Sequence, residues 1–128
     1  MLIGLGIDIC RIDRIRLSVE RFGDRFLNRI FTKAEIESCY RARACIYQSL
    51  AARFAGKEAL YKALPPHIQP QIQWLDIQIE RGKSTSPVIH FSAPFQSIID
   101  QNQWKIWLTL THEKEYAVAA VVIESSGF

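Results

Sequence analysis

Two acidic residues of this chain have surroundings that suit metal and phosphate chemistry. Asp8 ends an alternating apolar segment, and Glu58 lies in a basic segment that contains Arg53, Lys57 and Lys62. Mg²⁺ prefers oxygen ligands, and one or two carboxylates usually hold it while water and substrate phosphates fill the remaining positions. We therefore interpret Asp8 and Glu58 as candidate magnesium ligands, with the three basic side chains as candidate phosphate contacts.

The apolar residues around Glu58 strengthen this interpretation. On a helical wheel of about 100° per residue, the flanking apolar side chains fall within about 60° of Glu58; they are Ala51, Phe54, Ala55 and Tyr61. An unpaired carboxylate on such a face would cost several kcal/mol or take up a proton. The pattern therefore predicts that Glu58 faces the core and has a compensating cation.

Both carboxylates also have a plain structural interpretation. Glu58 can pair with Lys62 one helical turn further along, and Asp8 can be a turn residue at the end of a strand. Two carboxylates far apart in sequence are a weak signal in themselves. The residues alone leave these alternatives open.

A further group of polar side chains comes late in the chain. Thr109 and Thr111 lie on one side of a predicted strand, and His112 follows where a turn begins. An imidazole in this place can bind phosphate or donate a hydrogen bond. A histidine satisfied at the surface is the alternative.

Three arginines form a row on the first predicted helical region. The spacing of Arg14, Arg21 and Arg25 puts them within about 20° of one line on an ideal helix. Residues 1–64 hold 12 Lys and Arg against 7 Asp and Glu, whereas residues 65–128 hold 4 against 6. Guanidinium groups suit carboxylates or phosphates on a partner. A solvated face is the alternative, and a helix break at Gly23 would bend the row.

Alternating apolar residues predict the first strand, which would position Asp8. Leu2 to Ile9 has the period of a β-strand. We expect its apolar side to face the core, with Ile3, Leu5, Ile7 and Ile9. Its other side is nearly bare backbone, carrying Gly4, Gly6 and Asp8. Glycine in a strand often marks the close approach of a ligand or another chain segment.

The remaining periodicity predicts a single α+β domain over residues 1–128. Helices are expected from Ile12 to Gly23, over Phe26–Ile30, from a Thr32–Glu35 capping box to Tyr40, over Ala44–Leu64, and after Ser92. Further strands are expected over Ile72–Glu80, Val88–Phe91, Trp104–Leu110 and Tyr116–Glu124, with turns at Gly82-Lys83 and Glu113–Glu115. Hairpin connections favour an antiparallel five-stranded sheet on which a long helix and shorter helices pack.

Composition excludes several other classes. Hydrophobic residues make up 48% of the chain, which is enough for its own core. Apolar runs stay well short of the roughly 18 residues of a membrane span, and Met1 to Ile9 lacks the basic region and cleavage site of a signal peptide. The three cysteines are odd in number and form no CxxC pair. This indicates a reducing compartment, the cytoplasm, and neither a disulfide framework nor a zinc site.

Three motifs together resemble a known family. Gly6-Ile7-Asp8-Ile9 stands near the start of the chain, and the segment from Arg53 to Lys62, RFAGKEALYK, fits F-x-x-K-E-A-x-x-K. Leu110-Thr111-His112 is followed by Glu115-Tyr116-Ala117-Val118-Ala119. In order and separation they are similar to the motifs of holo-acyl-carrier-protein synthase, the small bacterial type of 4′-phosphopantetheinyl transferase, over essentially the whole chain.

The resemblance implies an activity and a role for each residue. The family moves phosphopantetheine from coenzyme A to a serine of an acyl carrier protein and releases adenosine 3′,5′-bisphosphate. It implies Asp8 and Glu58 as ligands of Mg²⁺, Lys62 and His112 as contacts to the coenzyme phosphates, and Arg53 and Lys57 as further motif positions at the coenzyme. Glu58 and Lys62 would be catalytic, while the serine proton would go to Glu58 or to a metal-bound water.

The resemblance also implies partners. Arg14 and Arg21 match basic positions that meet the acidic carrier protein, and helix geometry adds Arg25. The family is a homotrimer with active sites between subunits. One departure concerns the segment after the long motif, where the family usually has a glycine-containing loop and this chain has Leu64-Pro65-Pro66-His67-Ile68-Gln69-Pro70. A change in coenzyme binding is expected there.

Two other functions remain possible from the residues. One is a module that binds coenzyme A or a carrier protein without chemistry, which the missing glycine loop favours. The other is nucleic-acid binding by the basic helices, which would depend steeply on salt. Since no aromatic-interleaved RNA motif is present, nucleic acid is the least favoured partner, and no membrane partner is expected.

Overall fold

The structure, a computed structural model, describes residues 1–81 and 86–126. Its strands are β1 (Leu2–Arg11), β2 (Ile77–Arg81), β3 (Pro87–Phe91), β4 (Trp104–His112) and β5 (Tyr116–Ser125). Its helices are α1 (Ile12–Phe22), α2 (Asp24–Ile30), α3 (Lys33–Arg41), α4 (Ile46–Ala63) and α5 (Ala93–Gln101). Short 3₁₀ helices cover Arg43–Cys45, Gln69–Gln71 and Trp74–Asp76. The turn predicted at Gly82-Lys83 lies outside the described residues.

The α+β class is confirmed, and all five predicted strands are present with antiparallel pairing. They form two sheets instead of the single sheet expected. One has the order β1-β5-β4, and the other is the β2-β3 hairpin. The free edge of β2 is occupied by side chains from the helices: Ile79 N–H donates to Glu35 at 3.0 Å, and Ile79 C=O accepts from Arg53 Nε at 2.9 Å. These bonds use the edge through which β2 would join a larger sheet.

The start of β2 was predicted too early. The segment expected to be extended from Ile72 contains the 3₁₀ turn Trp74–Asp76, and the strand begins at Ile77. The Gln73 N–H donates to an Asp76 carboxylate oxygen at 2.7 Å, which stabilises the turn. Local side-chain capping therefore overrides the apolar pattern here.

The predicted orientation of β1 was wrong. Leu5, Ile7 and Ile9, expected in the core, are about two-thirds exposed in this chain (67%, 65% and 63%), whereas Gly6 and Cys10 on the other side are buried. Alternation identifies two faces of a strand but not which of them the helices cover. The glycine face is the one that packs on α4.

Glycine on that face is required by the closeness of α4. A β-carbon added at Gly4 would overlap the carbonyl oxygen of Ala63, and one added at Gly6 would overlap that of Ala59. Both distances would be far below 3.0 Å, the closest approach that β-carbons make in real proteins. The facing side of α4 is also nearly free of side chains, with Ala59 and Ala63 at most 3% exposed. The strand and the helix backbone therefore lie in direct contact, and Asp8 comes next to the C-terminal half of α4.

The predicted start of α3 is confirmed. The Thr32 hydroxyl accepts from Glu35 N–H at 3.2 Å, and the Glu35 carboxylate accepts from Thr32 N–H at 2.9 Å. This is the reciprocal capping box that the sequence indicated. It also holds Glu35 in a fully buried position.

The β1–α4 contact gives a direct stability test. We expect Gly6→Ala to lower the free energy of unfolding by about 3 kcal/mol, because its new methyl group meets backbone that cannot move away. Gly56→Ala is the matched control, since its β-carbon meets the side-chain methyl groups of Ile79 and Leu110, which can shift. Alanine also favours a helix by about 1 kcal/mol over glycine. Urea unfolding measures both variants, and equal destabilisation would contradict the close approach.

Candidate active site

Asp8 and Lys62 form an ion pair between β1 and α4. Lys62 Nζ donates to Asp8 Oδ1 at 2.8 Å and to the Ile7 carbonyl oxygen at 3.3 Å. The Asp8 side chain is 15% exposed and that of Lys62 is 51% exposed, so the ammonium remains open to solvent. The hydrogen bond to Asp8 raises the pKa of Lys62, which keeps it cationic.

Glu58 is the second carboxylate beside this pair. Burial raises the pKa of its carboxyl, and the charge of Asp8 raises it further, whereas Lys62 and Arg14 lower it. Within residues 1–81 and 86–126 no group forms a hydrogen bond or ion pair with the carboxylate of Glu58. A half-buried carboxylate next to another negative charge is a place where a cation gains binding energy.

The position of Glu58 on α4 differs from the wheel prediction. Between residues 53 and 63, the side chains that are not buried are Phe54, Glu58, Tyr61 and Lys62. Of the apolar side chains expected around Glu58, Phe54 and Tyr61 lie on this open side of the helix, whereas Ala51 and Ala55 are buried as predicted. Glu58 lies in the middle of this open side, where a ligand can reach it.

The two carboxylates fit a divalent ion. Their oxygen donors are the kind that Mg²⁺ prefers, and Glu58 lacks the partner that a merely structural carboxylate would have. The described part of the chain contains no group of three or more His, Cys, Asp or Glu that would enclose a metal. Two protein ligands leave the remaining positions to water and substrate phosphate, as is usual for this ion.

Arg14, which the sequence predicted as a carrier-protein contact, also lies near the two carboxylates. Its charge acts on both Glu58 and Cys10, and the charges of Asp8 and Glu58 also act on Cys10. Burial raises the pKa of the Cys10 thiol to about 11, so this cysteine is a neutral neighbour of the site. Arg14 therefore belongs to the electrostatic surroundings of the carboxylates as well as to the exposed side of α1.

Lys57 has a different place from Lys62. Its ammonium is buried and donates to Ile30 O at 2.8 Å, Glu35 Oε1 at 2.7 Å and Trp74 O at 3.0 Å. All three of its protons are used inside the protein. The structure does not bring Lys57 to Asp8, so the predicted coenzyme contact at this position has no support from the geometry.

Arg53 and His112 meet at a separate cavity of about 550 Å³. Arg53 is 7% exposed and binds the Ile79 and Ser49 carbonyl oxygens and the Ser38 hydroxyl, which leaves two of its five N–H groups. The cavity is also lined by Arg41, Arg81 and Thr111. Such a concentration of guanidinium groups suits a phosphate.

Sequence reasoning missed Arg41 and Arg81. Arg41 stands at the end of α3 and Arg81 at the end of β2, and no spacing rule connects them with Arg53. The helix-end position of Arg41 was a weak signal, since basic residues are common there for other reasons. Folding of the β2-β3 hairpin against the helices brings them to one cavity.

A second cavity of about 550 Å³ lies beside Glu58. Its walls include Arg29, Tyr61, Leu75 and Ile77. Trp74, also in the wall, stacks on Phe54 with ring centroids 5.3 Å apart. The carboxylate therefore has a mainly apolar groove on one side and the Asp8–Lys62 pair on the other.

The arginine row is exposed but bent. Arg14 and Arg21 are on α1, whereas Arg25 is on α2, and Gly23 with a φ of 57° separates the two helices. Leu17 and Phe22 of α1 are more than half exposed beside the arginines. The break anticipated at Gly23 is present, so the three residues belong to one basic surface with two helices and not to a single straight row.

The segment that replaces the glycine loop closes the end of α4. Gln69 Nε2 donates to the carbonyl oxygens of Tyr61 and Leu64, at 3.0 and 3.3 Å. Leu64 and Ile68 are buried. The proline-containing segment thus satisfies the last carbonyl groups of the helix while Lys62 stays accessible.

Comparisons with known proteins agree with this architecture. Residues 4–121 match the model of the 4′-phosphopantetheinyl transferase superfamily. The chain is 42% identical to holo-[acyl-carrier-protein] synthase of Chlamydia muridarum over 121 residues, covering 94% of each chain. The described helices include none long and apolar enough to cross a membrane. The chain belongs to the 4′-phosphopantetheinyl transferase superfamily.

Solved structures give the same result at the level of the fold. The holo-[acyl-carrier-protein] synthase of Neisseria meningitidis superimposes with a TM-score of 0.83 at 25% identity, covering 98% of this chain and 100% of that one. The enzyme of Bacillus anthracis, solved in complex with CoA (3′,5′-ADP), gives a TM-score of 0.76 at 33% identity, with 98% and 99% covered. Both are similar to this chain over its whole length.

The electrostatics of the carboxylates can be measured without a metal. In the presence of a chelator, we expect Asp8→Asn to lower the pKa of Glu58, because a neighbouring negative charge is removed. Lys62→Met should raise it, because a neighbouring positive charge is removed. NMR titration of the Glu58 side chain gives both values, and an unchanged pKa in both variants would show that the three groups are not neighbours.

Proposed function

We infer that this chain is a holo-[acyl-carrier-protein] synthase, which transfers 4′-phosphopantetheine from coenzyme A to a serine of an apo acyl carrier protein. The observation that carries this function is the unpartnered Glu58 carboxylate beside the Asp8–Lys62 pair. Family membership and the coenzyme complex of the relative from Bacillus anthracis support the substrate. The products are the holo carrier and adenosine 3′,5′-bisphosphate, and the reaction serves fatty acid biosynthesis.

The enzyme depends on Mg²⁺, which Asp8 and Glu58 would hold. When bound, the ion supplies a Lewis acid that withdraws charge from phosphate oxygens. Phosphoryl transfer needs little covalent help from a protein and gains most from positioning and charge stabilisation. Lys62, half exposed and cationic, supplies a further positive charge for the diphosphate of the coenzyme.

The reaction breaks one phosphorus–oxygen bond and forms another. The carrier serine oxygen attacks the β-phosphate, and the bond to the oxygen of adenosine 3′,5′-bisphosphate breaks. The serine proton has to leave as the new bond forms. Glu58 is the carboxylate placed to take it, because it lies on the open side of α4 beside the Asp8–Lys62 pair.

The Arg53–His112 cavity, which is lined by several cationic side chains, binds another phosphate of the coenzyme. Arg53 and His112 face it together, with Arg41 and Arg81 adding charge. Glu58 lines a different cavity of the same chain, beside Tyr61. We therefore propose that the coenzyme bridges the carboxylates of one chain and the Arg53–His112 cavity of a neighbouring chain.

A homotrimer would provide that neighbour. The uncovered face of the three-stranded sheet exposes Leu5, Ile7 and Ile9 of β1 and Trp107 of β4. An apolar surface of this kind on a small domain usually marks an interface. Sedimentation equilibrium tests this, and a stable monomer at micromolar concentration would contradict it.

The carrier protein binds at the basic surface of α1 and α2. Arg14, Arg21 and Arg25 face solvent there, and Arg14 lies near the carboxylates. An acidic carrier would be attracted to this surface and would present its serine to Glu58. We place the protein in the cytoplasm, where the thiols of its cysteines, which are free, remain reduced.

Mass spectrometry of the carrier tests the activity. With apo carrier, coenzyme A and Mg²⁺, the carrier should gain the mass of one phosphopantetheine group, and a chelator should stop the reaction. Glu58→Gln should reduce the rate at least about 100-fold, because it removes both a metal ligand and the base. The control is Glu37→Gln, an exposed glutamate of α3 that lines neither cavity.

Two results would contradict the proposal. If the wild-type chain binds coenzyme A but leaves the carrier mass unchanged, the protein is a binding module. If transfer continues at the same rate with the chelator present, the reaction does not need the ion. A known synthase acting on the same carrier preparation confirms that the carrier is competent.

A further inference from the structure

A fully buried ion pair connects α4 with α3. Lys57 Nζ lies 2.7 Å from Glu35 Oε1, and both side chains are 0% exposed. The Lys57 ammonium also lies 5.5 Å from the centre of the Phe31 ring. Since a buried charge is costly unless it is paired and hydrogen-bonded, such a pair persists only where its geometry is well satisfied.

Every bond of this pair reaches a different part of the chain. Lys57 donates to Ile30 O at the end of α2 and to Trp74 O in the 3₁₀ turn. Glu35 accepts from Thr32 N–H before α3 and from Ile79 N–H in β2. Two side chains therefore fix α4 to four other segments by directional hydrogen bonds.

Apart from the bonds of Arg53 and Lys62, the other contacts of α4 lack this directionality. Toward the sheet, α4 presents small side chains, among them Ala55, Ala59 and Ala63, and it meets bare backbone at Gly4 and Gly6. A surface of small side chains and bare backbone fixes the rotation of a helix less firmly than directional hydrogen bonds do. Polar bonds must therefore fix the rotation of α4 about its axis, and those of Lys57 are the most deeply buried.

Rotation of α4 decides whether Glu58 faces Asp8. Glu58 directly follows Lys57, and the ends of its side chain lie about 5–6 Å from the helix axis, so that a rotation of about 20° would move the carboxylate by about 2 Å. Misplacement of a catalytic group by about 1 Å can cost about 100-fold in rate. A small rotation would thus separate two ligands of one ion.

We propose that Lys57 and Glu35 are positioning residues, which hold α4 in the rotation that brings Glu58 to Asp8. The proposal deepens the proposed function and rests on it for the roles of Asp8 and Glu58. Both side chains of the pair are 0% exposed, so neither would reach the coenzyme directly. Their effect on the reaction passes through the position of Glu58 alone.

The test compares Lys57→Met, which keeps most of the length of the side chain and removes its charge, with a control that loses core packing elsewhere. Glu35→Gln is the second variant, because its amide keeps one acceptor oxygen and leaves most of the network in place. Ile99→Ala is the control: Ile99 is a buried core residue of α5, outside both cavities of the site. Rates are measured on folded protein at a temperature below all three unfolding transitions.

Three readouts are taken for each variant. Binding of Mn²⁺, followed by electron paramagnetic resonance, should weaken about 10- to 100-fold in Lys57→Met, as it does when supporting residues of a metal site are removed. The kcat of transfer should fall about 100-fold. Binding of adenosine 3′,5′-bisphosphate without metal should stay unchanged, because the Arg53–His112 cavity does not depend on Glu58. Glu35→Gln should show the same pattern with smaller losses, and Ile99→Ala should show none.

The outcomes distinguish failure of the positioning role from failure of the proposed metal site. If Lys57→Met and Glu35→Gln keep the kcat and the Mn²⁺ affinity of Ile99→Ala, the pair serves stability only and the positioning role is overturned. If the wild-type chain itself does not bind Mn²⁺, the proposed metal site fails, and the kcat values alone then test the positioning role. Variants with the same kcat as Ile99→Ala overturn that role, whereas a lower kcat than that of Ile99→Ala supports it. Should Lys57→Met fail to fold, Glu35→Gln gives the same decision.

Discussion

The site depends on direct backbone contact between β1 and α4. Gly4 and Gly6 let the strand approach the helix closely enough that any β-carbon would overlap the helix carbonyl oxygens. At this distance Asp8, two residues beyond Gly6, reaches Lys62 within 2.8 Å. The two acidic ligands proposed for the metal come from the first and the second of the three motifs, and the contact between β1 and α4 brings their elements together.

Close contact alone does not define the site, because smooth surfaces can slide and rotate. The buried Lys57–Glu35 pair supplies directional bonds on the far side of α4, and Arg53 adds a bond to the edge of β2. The long motif thus combines two kinds of residue on one helix. Lys57 turns inward to hold the helix, whereas Glu58 and Lys62 turn outward to the ligand.

Much of the fold followed from local patterns in the sequence. The Thr32–Glu35 capping box and all five strands could be predicted, because caps and alternation depend on near neighbours. The orientation of β1 could not, since both of its faces are compatible with burial and only the closeness of α4 decides between them. The division into two sheets depends on Glu35 and Arg53 occupying the edge of β2, a long-range contact that no local pattern indicates. Motif resemblance identified the carboxylates, but the different directions of Lys57 and Lys62 required the structure.

The central claim is that Asp8 and Glu58 jointly bind one divalent ion at the diphosphate of coenzyme A. Its most direct test is a crystal structure of the protein grown with coenzyme A and MnCl₂, with anomalous data collected at the manganese edge. The account predicts one anomalous peak coordinated by both carboxylates and by diphosphate oxygens, with His112 of a neighbouring chain at another phosphate of the same coenzyme. Coenzyme bound with no ion between Asp8 and Glu58, or an ion held elsewhere, would contradict it.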